Sequence, residues 1–379
     1  MNNRPPSAPE EPLTEALISL GNLSGNVRYA RKRAGETCRI MGVVKADAYG
    51  HGAQAVARHL ETCGIHDFGV ANVQEAMELR RSQAVSDRSG ILAFCTPPPS
   101  HLVHYMQYDT ELTVADTGQL HAASARASAY QKPLTVHVKV DTGMGRLGLS
   151  CREAMDVLLA AEQDPWIHLK GVYTHFAQST VDDGFTRRQL QEFLQLCSEF
   201  EHRTGRKIIR HAANSGALLC MPESRLDMVR PGIMLYGYAP ERRIGPLPEL
   251  RPVMQLQSRV IFIKNVRSGT PISYNRSWVA PADCRIATVA AGYADGYHRL
   301  LSNRAMVTIS GRRYPQAGNV TMDQLMVNLG TETGIREGER VTLFGWDGPT
   351  AADLADLCGT ISYELLCSVS GRVKRTIVE

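Results

Sequence analysis

A lysine at the end of an apolar run is the first residue in this chain placed to do chemistry. In Val43-Val-Lys-Ala-Asp-Ala-Tyr-Gly-His-Gly52 the run 41–44 reads as a strand that delivers Lys45 to its C-terminal end. Desolvation at such a rim lowers an amine's pKa and makes it nucleophilic. Tyr49 adds a hydroxyl, while Gly50 and Gly52 let the backbone turn without a Cβ. The same arrangement recurs. Asn72 follows Gly69-Val-Ala71, His175 follows Gly171-Val-Tyr-Thr174, and Asn214-Ser215 follows His211-Ala-Ala213. A further stretch, Val138-Lys-Val-Asp-Thr-Gly-Met-Gly-Arg-Leu-Gly148, contains Gly-x-Gly-x-x-Gly at 143, 145 and 148, the spacing of a dinucleotide fingerprint. It would, however, be the loop after a fifth strand, not the first unit of a Rossmann half. Its Asp-Thr-Gly is a lone copy in an α/β context, which argues against an aspartic protease.

The elements that must position these groups alternate over about 200 residues. Apolar runs at 39–44, 67–71, 90–94, 111–115, 134–140, 168–174, 208–212 and 228–236 read as eight strands. Helix-like segments at 54–62, 73–81, 152–163 and 185–203 lie between them, the last with a largely helical apolar period. This order fits an α/β fold whose N-terminal domain is a (β/α)8 TIM-type barrel, with a doubly wound sheet as the other reading. Polar groups at several strand C-terminal ends favour the barrel, because barrel enzymes place their chemistry there. After Pro246-Leu-Pro248 the texture becomes mostly β, with strands expected at 253–264, 285–291, 304–309, 319–327 and 340–344 and a helix at about 350–358. The expected division is a flexible arm 1–12, a barrel 13–244 and a C-terminal β domain 245–379.

Composition excludes other classes. The 379 residues carry 42 Lys and Arg against 38 Asp and Glu, a net charge of +4 that is too weak and scattered for a nucleic-acid or membrane-surface protein. No apolar run reaches the ~18 residues of a bilayer span, and the polar start lacks the core of a signal peptide. Nine cysteines with no Cys-x-x-Cys pair read as buried free thiols in a reducing cytoplasm, with neither a disulfide framework nor a metal site.

The segment around Lys45 closely resembles the pyridoxal-phosphate attachment signature of the alanine racemase family, and the resemblance continues over nearly the whole chain. It implies pyridoxal 5'-phosphate as cofactor, Lys45 as its Schiff-base lysine and Tyr49 beside it. It makes Arg146 a substrate-side arginine and Lys139 a candidate for carbamylation, which would turn a cation into an anion able to orient Arg146. His175 is placed against the pyridine ring by the same resemblance, and Ser215 becomes a phosphate ligand through His211-Ala-Ala-Asn-Ser215. In Val229-Arg-Pro-Gly-Ile233, Gly232 and Ile233 would offer backbone N–H groups to the phosphate. Arg230 would face the ring nitrogen. An arginine does not hand over its proton, so the ring stays a weaker electron sink, and side reactions are restrained.

In the second domain, Pro271-Ile-Ser-Tyr-Asn-Arg-Ser-Trp278 is similar to the family segment bearing a second base, Tyr274. Its ordinary pKa near 10 costs about 4 kcal/mol for work at pH 7 without perturbation. The resemblance also implies Tyr293 at the entrance, Met322 and Asp323 at the substrate carboxylate, and Tyr363 on the phosphate. It further implies a head-to-tail homodimer in which Tyr274 serves the partner's barrel. The expected activity is racemisation of alanine by two opposed bases, with Lys45 on the D side and Tyr274 on the L side, supplying D-alanine for peptidoglycan. Gly318-Asn-Val-Thr-Met-Asp323 departs from the family's usual Gly-Arg-Val-x-Met-Asp, and Asn319 thereby removes a charge from the substrate corridor. A broad-spectrum racemase acting on serine or lysine is therefore the alternative, since a pocket distinguishes one methylene or hydroxyl by only about 1–3 kcal/mol. The other readings are a non-catalytic pyridoxal-phosphate-binding protein and a decarboxylase on the same plan. The retained second domain speaks against the former and the first signature against the latter.

Overall fold

The computed structural model describes residues 12–181 and 183–379. Apart from Pro12, the expected arm lies outside the described residues. The chain divides into two units: Gly21–Arg251, and Pro252–Glu379 together with the stretch that ends at Leu20.

Strand β1 (Glu15–Ser19) opens the described chain and belongs to the second unit. The first unit is a ring of eight parallel strands: β2 (Arg39–Val43), β3 (Asp67–Val70), β4 (Gly90–Ala93), β5 (Glu111–Val114), β6 (Leu134–Lys139), β7 (Ile167–Tyr173), β8 (Ile209–His211) and β9 (Met228–Val229). Each pairs with its sequence neighbour from β2 to β8, and β9 returns to β2 through Arg39 opposite Met228. A parallel bridge between Asn214 and Arg230, just beyond β8 and β9, closes the ring. Closure rules out the doubly wound sheet. Every residue of β3 and β5 is buried, as expected of strands covered by helices outside and side chains within.

The helices start where the sequence supplies caps. Asn72 accepts a hydrogen bond from Glu75 N at 3.1 Å, Asp116 from Gln119 N at 2.8 Å, and Asn214 from Ala217 N at 3.0 Å. Ser150 and Glu153 form a reciprocal capping box. Three of these caps, Asn72, Asp116 and Asn214, sit within three residues of a strand end, so the residues at those strand ends are held on short, fixed turns.

The second unit is built on β10 (Met254–Val266), thirteen residues long. Irregularities at Leu256/Gln257 and at Val260/Phe262 let it pair with β1 and β17 (Arg340–Phe344) near one end and with β13 (Cys284–Val289) near the other. A two-residue hairpin of β11 (Pro271–Ile272) and β12 (Trp278–Val279) precedes β13, and β14 (Met306–Ile309) and β15 (Arg312–Pro315) follow it. Strand β16 (Leu325–Gly330) pairs with β13, and β18 (Lys374–Val378) runs parallel to β1.

Three expectations are corrected. The strand expected at 228–236 stops after Val229, because Pro231 has no N–H for the ladder and residues Ile233–Tyr236 form a 3-10 turn. The strand expected at 319–327 begins only at Leu325, residues 319–324 forming a loop. Residues 15–19, read as part of the barrel, form β1 of the other unit, paired with residues some 240 and 360 positions away. None of the nine cysteines is in a disulfide, but only Cys38 and Cys197 are buried, and Cys220 and Cys367 are exposed.

Candidate active site

Lys45 follows the buried strand β2 and is half-buried at its C-terminal end. The backbone after it is unusual. Ala46, Asp47, Ala48 and Tyr49 all have φ between +52° and +54°, a complete left-handed turn of non-glycine residues. Each such residue costs roughly 1–2 kcal/mol, so its surroundings must over-determine the turn. They do. Glu75 accepts from Ala46 N at 2.8 Å and from Ala71 N at 2.7 Å, tying the turn to the end of β3. Asp47 accepts from Ala53 N at 2.7 Å. His51 is fully buried with Nδ1 2.9 Å from the carbonyls of Ala48 and Tyr49. The Tyr236 ring packs on both Tyr49 and His51, and its hydroxyl donates to Val43 O at 2.9 Å.

Tyr49 leads to a second cluster. A Cβ on Gly232 would overlap the Tyr49 hydroxyl, so this close approach requires glycine. Ser215, buried at the start of the helix Ser215–Cys220, accepts from Gly232 N at 3.0 Å and Met234 N at 3.4 Å. Ile233 opens the next turn, where the first N–H groups have no intrahelical acceptor. Tyr49, Ser215, Gly232 and Ile233 thus converge. The expected Gly232 donor already points at Ser215.

Arg230, just past β9, is 4% exposed. Nη1 donates to His211 O at 2.7 Å and lies 3.2 Å from His211 Nδ1. Nη2 donates to Thr174 O at 2.8 Å and Ala212 O at 3.1 Å, with His175 Nδ1 3.4 Å away. Burial pulls the guanidinium down to about 10, which leaves it charged at neutral pH. Burial and the Arg230 charge hold His175 and His211 far below the ordinary imidazole range, so both are neutral there. Below Arg230 a row of buried groups continues down the barrel: His211 Nε2 lies 2.9 Å from His137 Nδ1, and His137 Nε2 lies 3.0 Å from Glu111 Oε2. Lys170 pairs with Glu111 and Asp67, and Arg39 pairs with Asp67. Burial alone would raise the Glu111 carboxyl, but the bond to His137 and the charge of Lys170 bring it down to about 2.

Lys139 ends β6, buried, donating to Val140 O at 2.7 Å over the Tyr173 ring. Burial and the charges of Arg230 and Arg146, partly opposed by Asp141, bring its amine down to about 7. Asp141 accepts from the backbone N–H groups of Gly143, Met144 and Gly145, bracing the loop that carries Arg146. Gly148 returns that loop to the strand; a Cβ there would sit 2.7 Å from Asp141 N. The glycines therefore serve a tight Asp-braced turn.

The second unit carries the remaining expected residues. Tyr274 is 70% exposed on the turn between β11 and β12, where Ser273, Asn275 and Arg276 have φ of +65°, +62° and +52°. Asn319 holds this turn: its Nδ2 donates to Tyr274 O at 2.8 Å and its carbonyl accepts from Ser273 Oγ at 2.7 Å. Tyr293 and Met322 are exposed on adjoining loops, stitched by Tyr293 N to Thr321 O at 3.1 Å and Ala294 N to Met322 O at 3.0 Å. Arg372 joins exposed Asp323 to buried Asp295. Tyr363 is half-buried on the helix Ser362–Cys367. Sequence reasoning missed Glu75, Glu111, His137, Lys170 and Arg372. Only Glu75, three residues after the cap Asn72, left a local signal.

The fold and this site define a class: a (β/α)8 barrel with a lysine on its C-terminal rim, continued in sequence by a β domain. Residues 18–240 match the family model "Alanine racemase, N-terminal domain" and residues 253–377 match "Alanine racemase, C-terminal domain". The chain belongs to the alanine racemase family. It is 53% identical to the alanine racemase of Chlorobaculum tepidum over 98% of this chain and 97% of that one. It is 38% identical to that of Treponema denticola over 97% and 98%. Among solved structures, the alanine racemase of a D-cycloserine-producing Streptomyces lavendulae superposes with a TM-score of 0.92 at 32% identity, covering 98% of both chains. No described helix is long and apolar enough to cross a membrane.

Proposed function

We propose that this protein interconverts L- and D-alanine with pyridoxal 5'-phosphate attached to Lys45. The observation that carries the reading is the convergence, on one barrel rim, of the Lys45 turn, the Tyr49–Ser215–Gly232 cluster and the buried charge of Arg230, in a chain with a close alanine racemase relative. The donor set fits the cofactor. Hydroxyls and backbone N–H groups around a glycine that admits no Cβ suit a phosphate, and an arginine walled by neutral histidines suits a ring nitrogen. Tyr363 would complete the phosphate contacts.

When bound, the cofactor supplies the electron sink that weakens the substrate Cα–H bond. The Lys45 amine takes or returns that proton on the D side and the Tyr274 hydroxyl on the L side, each acting as acid in the opposite direction. Arg230 keeps its own proton, held by four acceptors, so it restrains the sink and with it elimination and transamination. Arg146 and the loop pair Met322 and Asp323 receive the substrate carboxylate end, with Tyr293 at the entrance. A carbamylated Lys139 would set a negative charge near Arg146, and an amine with its pKa near 7 is neutral often enough to capture carbon dioxide.

Each site is completed by a second copy, whose Tyr274 serves this barrel in a head-to-tail homodimer. The product supplies peptidoglycan in the cytoplasm. The test is chiral chromatography of L-alanine, L-serine and L-lysine with the wild type, Lys45→Ala and Tyr274→Phe. Wild type should racemise alanine fastest. Lys45→Ala should lack the attached chromophore, and Tyr274→Phe should keep it while losing most racemisation. Tyr274→Phe at the wild-type rate would refute the two-base reading. Mixing the two inactive variants should restore about a quarter of the sites if they are shared between subunits; no recovery would refute sharing.

A further inference from the structure

The row Arg230–His211–His137–Glu111 is a buried polar chain that the catalytic roles above leave unused below Arg230. His137 and His211 are 0% exposed. Where each imidazole carries a single ring proton, its chemistry permits only one order. Arg230 can only donate, and the ionised Glu111 carboxylate can only accept. His211 must therefore accept at Nδ1 and donate from Nε2, and His137 must do the same, so that its Nε2–H ends on Glu111 Oε2. Reversing either ring would set Arg230 N–H against His211 Nδ1–H, or the His137 Nε2 lone pair against a carboxylate.

We infer that Glu111 is a positioning residue for the proposed reaction: acting through His137 and His211, its carboxylate fixes both imidazole tautomers so that His211 presents a lone pair to Arg230. The inference rests on the reading that Arg230 faces the cofactor. Lys170 constrains the carboxylate further, because it holds Glu111 Oε1 while His137 holds Oε2. A glutamine at 111 cannot serve both. If its oxygen faced His137, its NH2 would face the Lys170 ammonium. With its oxygen on Lys170, its NH2 donates to His137 Nε2, and both tautomers reverse. Arg230 then loses its His211 Nδ1 acceptor while keeping the carbonyls of Thr174, His211 and Ala212.

The test is long-range 1H–15N spectroscopy of the holoprotein labelled in its histidines, which reads directly which ring nitrogen carries hydrogen. Wild type and Lys170→Met should both show Nε2–H at His137 and His211. Glu111→Gln should show Nδ1–H at both, with kcat falling roughly ten- to a hundredfold and KM little changed. Glu111→Gln combined with Lys170→Met frees the amide to turn its oxygen to His137, so the Nε2–H pattern and most of kcat should return. A purely structural role for Glu111 gives no such rescue. Unchanged tautomers in Glu111→Gln, or no restoration in the double variant, would overturn the inference. Should Glu111→Gln not fold, the wild-type spectrum decides, because Nδ1–H on either ring contradicts the chain. Failure to bind pyridoxal phosphate would refute the reading of the site instead, since the tautomers are also measurable without the cofactor.

Discussion

Replacing Glu75 should loosen the turn that follows Lys45, and the balance can be worked from the structure. Four left-handed residues, Ala46 to Tyr49, carry roughly 4–8 kcal/mol of conformational cost at 1–2 each. Glu75 offsets part of this through two charge-assisted bonds, 2.8 Å to Ala46 N and 2.7 Å to Ala71 N. Such bonds are worth about 1.5–3 kcal/mol when buried, and the half-buried position of Glu75 points to the low end, about 3 kcal/mol for the pair. Glu75→Ala should therefore cost about 3 kcal/mol in urea unfolding. Glu75→Gln, with one acceptor oxygen, should cost about half of that. Amide exchange should accelerate at Ala46 and Ala71, and borohydride trapping of pyridoxal phosphate on Lys45 should weaken in the same order. If Glu75→Ala unfolds within about 0.5 kcal/mol of wild type with the Ala46 amide still protected, the turn is held by its other contacts and the reasoning fails.

Ala46→Gly relieves left-handed strain at an exposed site and should raise stability by about 0.5–1 kcal/mol in the same urea assay, whereas Ala46→Val should lower it. Lys139 titrates near 7 when folded and near 10.4 when unfolded, so between those values the unfolded chain holds the extra proton and stability should rise with pH. Lys139→Met should flatten that rise in a series of unfolding midpoints; parallel slopes would contradict the buried amine. A Cβ at Gly292 would overlap the carbonyls of Thr321 and Met322, so Gly292→Ala should lower the melting temperature and disturb Tyr293 and Met322 together. Asn319→Ala removes the amide that holds the Tyr274 carbonyl and should reduce kcat while leaving the bound chromophore intact, as measured by turnover and absorbance.

What is local can be read from the amino-acid order alone. A run such as 41–44 closing on Lys45, or His211-Ala-Ala-Asn-Ser215 leading into a capped helix, carries both the element and its reactive end within a few residues, since strand and cap signals act over that range. The second-unit markers Tyr274, Tyr293, Met322, Asp323 and Tyr363 were legible only as resemblance, because nothing adjacent to them marks chemistry. Tertiary structure decided everything that depends on distant partners. Strand β1 looked like barrel sequence until β18 paired with it from the other end of the chain. Glu111, His137 and His211 lie 26 and 74 residues apart in sequence and meet only because ring closure turns the inward faces of β5, β6 and β8 onto one axis. Positive φ at Ala46 and Ala48 has no local signature at all, since alanine alone prefers the right-handed region. That conformation exists because the carboxylate of Glu75 and the buried ring of Tyr236, brought in by the helix after β3 and the turn after β9, outweigh the intrinsic preference of the chain.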